Sequence, residues 1–116
     1  MKKTILLVDD EIDIQNRYFL QAGYDVLVAH DGKEGLELFR KKSIDVIITD
    51  IMMPYKSGLE ITAFSKKNYP SIPIIIVSAL GKEDLTVIEG FKLGVDDFIA
   101  KPFNPIELVL RVKRFV

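Results

Sequence analysis

The 116-residue chain contains no cysteine and no tryptophan, and its single histidine is His30. Without cysteine there are no disulfides, no thiolate catalysis and no zinc–thiolate centre, and no oxidising compartment is required. Neither charge sign dominates: 16 Lys and Arg against 17 Asp and Glu give a net charge of -1. A built-in nucleic-acid surface usually shows a basic excess, so none is expected. Long apolar runs are missing too. Met1-Lys2-Lys3 leads into a short apolar stretch that ends at Asp9-Asp10, too short for a signal peptide or a membrane span. A cytoplasmic location is therefore expected. The chain also lacks a G-x-G-x-x-G or P-loop pattern, and it has no repeat, linker or low-complexity stretch.

What is present reads as one globular domain, residues 1–116, with 48% hydrophobic and 28% charged residues. Apolar, β-branched runs occupy Thr4–Val8, Tyr24–Ala29, Ile44–Thr49, Ile74–Ser78 and Val95–Ala100. Their unbroken hydrophobicity suits strands buried on both faces of a parallel sheet. Between them, apolar residues recur at helical spacing: Leu36 and Phe39; Leu59, Ile61 and Phe64; Val87, Ile88 and Phe91; Ile106, Leu108, Val109, Val112 and Phe115. Gly23, Gly58, Gly81 and Gly94 fall at segment borders, and Asn104-Pro105 reads as an N-cap followed by proline at the first helical position. Five βα units result. The expected fold is α/β, a flavodoxin-like (βα)5 doubly wound sheet of order 2-1-3-4-5, with its ligand crevice between strands 1 and 3.

All strands of a parallel sheet end on one edge. That edge gathers residues far apart in the chain: Asp9-Asp10 after TILLV, Asp50 after VIIT, Ser78 after PIIIV and Lys101 after DDFIA. Ionised carboxylates about 4 Å apart repel by roughly 4 kcal/mol per pair at an effective dielectric near 20. A cation or a shared proton must relieve three of them. Oxygen ligands without histidine or cysteine point to Mg²⁺ or Mn²⁺, partly hydrated and open to phosphate. Helix capping competes as an account of Asp10, which with Glu11 and Asp13 sits where a helix N-terminus favours acids. Asp50 comes from a distant strand end, so capping does not cover it. A carboxylate so placed can attack phosphorus when a metal neutralises the approaching oxygens. Lys101 can pair with Asp50 and then with a phosphoryl oxygen. Ser78 can donate to the same oxygens or be an ordinary strand-end hydroxyl. His30 reads as a surface residue, and Arg111, Lys113 and Arg114 as a solvated helix face near its C-terminus.

The stretches ILLVDDE (5–11), HDGKEGLELF (30–39), DVIITDIMMP (45–54), IIIVSAL (74–80) and LGVDDFIAKPF (93–103) resemble, in order and across essentially the whole chain, the receiver domain of two-component response regulators. The resemblance implies that Asp50 is the phosphoacceptor, fed by a histidine kinase phosphohistidine or a small phosphodonor. It implies Mg²⁺ bound by Asp10, by Asp9 mainly through water, by Asp50 and by the backbone carbonyl of Met52. Lys101 would hold the phosphoryl group, with a cis peptide bond before Pro102. Ser78 would be the hydroxyl switch and Phe98 the aromatic switch, turning inward after phosphorylation, although simple core packing also accounts for Phe98. The segment 95–115 is similar to the winged-helix transcription-factor branch. Its receivers dimerise through helix 4, strand 5 and helix 5, and Asp97 and Arg111 match an intersubunit ion pair there. The implied output domain lies outside this chain.

Departures from the family pattern are informative. The segment from Asp10 to Gly23 is about three residues short, almost one helical turn, which keeps the buried face but alters the first helix. Val87 stands where the transcription-factor branch usually has a basic residue, leaving Glu107 without its usual partner. The stretch from Ala79 to Gly90 is about one residue longer than usual, which shifts helix 4 by part of a turn. Met52 and Leu80 are apolar at positions that tune loss of the phosphoryl group in this family, so the phosphoaspartate is expected to be long-lived. An aspartate-nucleophile phosphatase is the competing enzyme reading, but such enzymes usually place a second acid where Met52 stands. A phosphorylation-independent interaction module, or a small nucleotide or flavin binder, is the third, and the retained acids and Lys101 argue against it.

Overall fold

The computed structural model describes residues 2–9, 13–51 (13–15 as backbone only), 58–79, 81 and 84–116. The elements alternate throughout: β1(Thr4–Val8), α1(Asp13–Gln21), β2(Asp25–Ala29), α2(Gly32–Lys41), β3(Val46–Asp50), α3(Gly58–Asn68), β4(Ile74–Ser78), α4(Leu85–Leu93), β5(Asp97–Ala100) and α5(Pro105–Lys113). All strand pairs are parallel, in the order β2-β1-β3-β4-β5. This is the flavodoxin-like order expected from the five βα units.

Successive residues of a strand point to opposite faces, and the two faces carry separate cores. Ile5, Leu7, Val46, Ile48, Ile75, Val77 and Ile99 pack with Phe19 of α1 and with Leu108 and Val112 of α5. On the other side Leu6, Val8, Ile47 and Ile74 meet Phe39 of α2 and Ile61 of α3, while Ile76 and Phe98 meet Val87 of α4. Strand starts differ slightly from the apolar runs. Tyr24 and Ile44 are buried just ahead of the ladders, contributing side-chain packing rather than strand pairing. The edge strand β2 is half-buried along Val26, Leu27 and Val28, not covered on both faces as its composition suggested.

Helix ends follow local chemistry. Asp31, Asp84 and Asn104 accept N-terminal backbone N–H groups at 2.9, 2.8 and 2.9 Å respectively, and Pro105 occupies the first turn of α5. Gly94 ends α4 in the left-handed region at φ +99, and Gly23 follows α1 at φ +94. Not every apolar residue of the helical patterns faces the core. Phe91 and Ile106 are 45% and 52% exposed, joined outside by Leu85 at 80% and Leu110 at 57%. Among the described residues no helix is long and apolar enough to cross a membrane.

One buried group is out of balance. The Ser65 hydroxyl of α3 is buried with no hydrogen-bond partner among the described residues. An unsatisfied polar atom costs about 1–3 kcal/mol, and alanine is the better helix former. Ser65→Ala is expected to stabilise the fold by about 1 kcal/mol, read as a raised urea midpoint at unchanged slope. A lowered midpoint would show that the hydroxyl is satisfied in solution.

Candidate functional site

Parallel register brings the expected residues to one edge. Val8 pairs with Ala29 on one side and Thr49 on the other, so Asp9 leaves β1 beside the end of β3. Its backbone N–H donates to Ala29 O at 3.1 Å, holding it at the sheet edge. Asp50 is the last residue of β3, in register with Val77. Ser78 and Ala100 close β4 and β5 in register, and the Lys101 N–H donates to Ser78 O at 2.8 Å. The Lys101–Pro102 peptide is cis, as the family resemblance implied.

Lys101 spans the gap to the acids. Its Nζ lies 2.7 Å from Asp50 Oδ2 and 3.3 Å from Asp9 Oδ2. The side chains differ in access: Asp9 is 2% exposed, Asp50 11% and Lys101 23%. Burial alone would lower the Lys101 pKa, but the hydrogen bond and charge of Asp50, followed by those of Asp9, raise it above the ordinary 10.5. The ammonium therefore stays charged throughout the neutral range. Ser78 is fully buried at the same edge.

Two buried carboxylates from different strand ends converge on one ammonium. An all-oxygen donor set of this kind suits a hard divalent cation, and Asp9 and Asp50 are the described residues that would hold one. No group of three or more potential metal ligands gathers among those residues. Asp10 and Met52, the other expected ligands, lie outside them, as does Leu80. His30 is exposed, and its backbone N–H donates to Glu34 at 3.4 Å.

The expected switch and dimer residues all have partners within the chain. Phe98 is already inward, 6% exposed, packed with Ile51, Ile76 and Val87, and Phe91 lies against it at 6.0 Å between ring centroids. Strand alternation explains this. Phe98 is in register with Ile76 and projects to the face that α4 covers. Within the chain, Arg111 binds both oxygens of Asp97, at 2.9 and 3.0 Å. It also reaches Glu107 at 3.1 Å, giving that carboxylate a partner one turn away. Val87, in the place of a usual basic residue, is 1% exposed, so this position serves the core.

Sequence reading missed how tightly α3 approaches the site. Gly58, the first residue of α3, donates its N–H to Ile51 O at 3.2 Å. It leaves no room for a side chain against the Asp50 carbonyl. Only its position at a segment border was visible in the sequence.

Relatives share this architecture. Residues 5–113 match the response regulator receiver domain family. The response regulator GtcR of Aneurinibacillus migulanus is 37% identical over 97% of this chain and 47% of its own length. The chain thus spans about half the length of that curated relative. The chemotaxis response regulator CheY4 of Vibrio cholerae matches with a TM-score of 0.90 and 32% identity over 100% of both chains. DrrB of Thermotoga maritima, an OmpR/PhoB homologue, matches with a TM-score of 0.87 and 35% identity, over 99% of this chain and 52% of that one. The fold and the aligned length agree, and the chain belongs to the response regulator receiver domain family of two-component systems.

Proposed function

We propose that this receiver accepts a phosphoryl group on Asp50 in a Mg²⁺-dependent reaction, from the phosphohistidine of a histidine kinase or from a small phosphodonor. One observation carries this reading. Three strand ends bring Asp9, Asp50 and Lys101 together, and Asp50 is the more accessible of the two acids. Receiver domains are generally Mg²⁺-dependent. Asp9, Asp10, Asp50 and the Met52 carbonyl would hold the ion, which when bound offsets charge on the transferring group. An Asp50 carboxylate oxygen attacks phosphorus in line. The bond from phosphorus to the donor nitrogen, or to the acetate oxygen of acetyl phosphate, breaks with its electrons leaving on the donor. Lys101 moves from carboxylate to phosphoryl oxygen and Ser78 donates to another. Positioning and charge neutralisation supply the rate.

The same reading makes residues 1–116 the receiver of a cytoplasmic regulator, acting on an output domain or a partner. The α4–β5–α5 face transmits the signal, and Phe98 marks its inner side. With Arg111 and Asp97 paired within the chain, a homodimer on this face would draw on exposed Leu85, Phe91, Ile106 and Leu110. Transcription control is the output that the DrrB likeness favours.

Acetyl phosphate with Mg²⁺, followed by intact mass, tests the reading. Wild type is expected to gain one phosphoryl group, while Asp50→Asn and metal-free wild type gain none. An adduct persisting in Asp50→Asn would refute the assignment. Apolar Met52 and Leu80 cannot orient an attacking water. Exchange of either for a polar residue is expected to shorten the phosphoaspartate lifetime severalfold, by about 1 kcal/mol of barrier. Unchanged decay in both variants would remove this account of its persistence.

A further inference from the structure

We propose that Gly58 is a positioning residue for Asp50, its missing side chain letting α3 seat directly on the peptide that carries the phosphoacceptor. The inference rests on Asp50 being the acceptor. A carbon added at Gly58 would lie 2.4 Å from Asp50 O, 2.8 Å from Ile51 Cα and 3.1 Å from Asp50 C. All three are backbone atoms that cannot swing aside. The same addition at Gly35 or Gly90 meets side-chain carbons first, of Val8 at 3.2 Å and of Ile76 at 2.7 Å. The demand at Gly58 is for space, since its φ lies outside the left-handed region.

The contact is held from both directions. Gly58 N–H donates to Ile51 O at 3.2 Å, tying the start of α3 to the end of β3. The Thr62 hydroxyl donates to Gly58 O at 2.7 Å, and the Thr49 hydroxyl donates to Asp50 O at 3.0 Å. The Asp50 carbonyl thus sits between a threonine hydroxyl and the first residue of α3. A methyl group at Gly58 must open its contact by about half an ångström to reach a tolerable separation. Asp50 shares that peptide, so the shift passes to a carboxylate whose Oδ2 lies 2.7 Å from Lys101 Nζ. Phosphoryl transfer depends steeply on such placement, with about 1 Å of error costing up to about a hundredfold.

Gly58→Ala, Gly90→Ala and wild type are compared by crystal structure, melting temperature and the rate of acetyl phosphate uptake at saturating Mg²⁺. Gly90→Ala serves as a packing control whose added carbon meets side chains of the α4 side rather than the Asp50 backbone. In Gly58→Ala, Asp50 is expected to move relative to Lys101 and uptake to slow about tenfold or more, beyond the slowing in Gly90→Ala. An unmoved Asp50, a rate within twofold of wild type, or equal slowing in both variants would overturn the proposal. If Gly58→Ala does not fold, Thr62→Val decides. It removes the bond to Gly58 O at matched volume and is expected to slow uptake severalfold with the fold retained, and an unchanged rate overturns the proposal. If wild type takes up no phosphoryl group, the reading of Asp50 as acceptor fails, while the crystallographic distance still decides whether Gly58 sets the Asp50 position.

Discussion

Lys101→Met is expected to slow phosphoryl uptake from acetyl phosphate by at least about a hundredfold, the usual cost of deleting one charge-stabilising donor. Lys101 Nζ is 2.7 Å from Asp50 and 3.3 Å from Asp9, so one ammonium serves both acids. Removing it leaves two buried carboxylates facing each other. Breaking a fully buried pair costs about 3–5 kcal/mol, but Lys101 is partly exposed and solvent screens it, so a smaller loss is expected here. Mg²⁺ is expected to restore much of that loss, raising the melting temperature of Lys101→Met more than that of wild type. The sign with pH is also fixed. A raised lysine pKa stabilises fully below the ordinary 10.5, and the contribution disappears only as pH rises through the higher folded value. The stability difference from wild type should thus stay flat across neutral pH. Lys101→Arg keeps the charge but replaces a compact ammonium with a rigid planar fork, and it is not expected to restore the rate. Uptake by Lys101→Met within threefold of wild type would remove Lys101 from the reaction.

Phe19→Ala is expected to cost about 3–5 kcal/mol, a large part of the 5–15 kcal/mol typical of a whole domain. Phe19 is fully buried and meets Tyr24 edge-on, with centroids 6.2 Å apart at 80°. The described part of helix α1 is nine residues, Asp13–Gln21, within the segment that reads as about three residues short of the family pattern. A short helix is marginal on its own and depends on tertiary anchoring. Phe19 ties α1 to β1, β3 and α5 in one cluster. Urea unfolding should show a much lower midpoint at unchanged slope. A loss below about 1.5 kcal/mol would mean that α1 can repack without this ring.

Much of the fold was legible because its strongest signals are local. Five β-branched runs mark strands that, except for edge strand β2, are buried on both faces. Asn104-Pro105, Gly23 and Gly94 mark helix ends through backbone chemistry that needs no distant partner. The site was legible one step further on, since parallel strands share an edge and polar residues at their ends must meet there. Helix orientation was less so. Spacing near 3.6 identifies an apolar stripe but not where neighbouring elements stop covering it. Phe91 and Ile106 belong to apolar patterns and still face outward.

The sequence by itself determined the alternation of strands and helices, the set of acids and lysine at the strand ends, and the family to which they belong. Each follows from residue type and spacing along one chain. Tertiary structure alone decided that Arg111 closes on Asp97 of its own chain, that Phe98 is already inward, and that Gly58 bears on the Asp50 carbonyl. These depend on how α5, α4 and α3 rest on the sheet, where a shift of about an ångström makes or breaks a hydrogen bond or a steric contact. Periodicity fixes which residues share a face, and only the packed fold fixes which atoms touch.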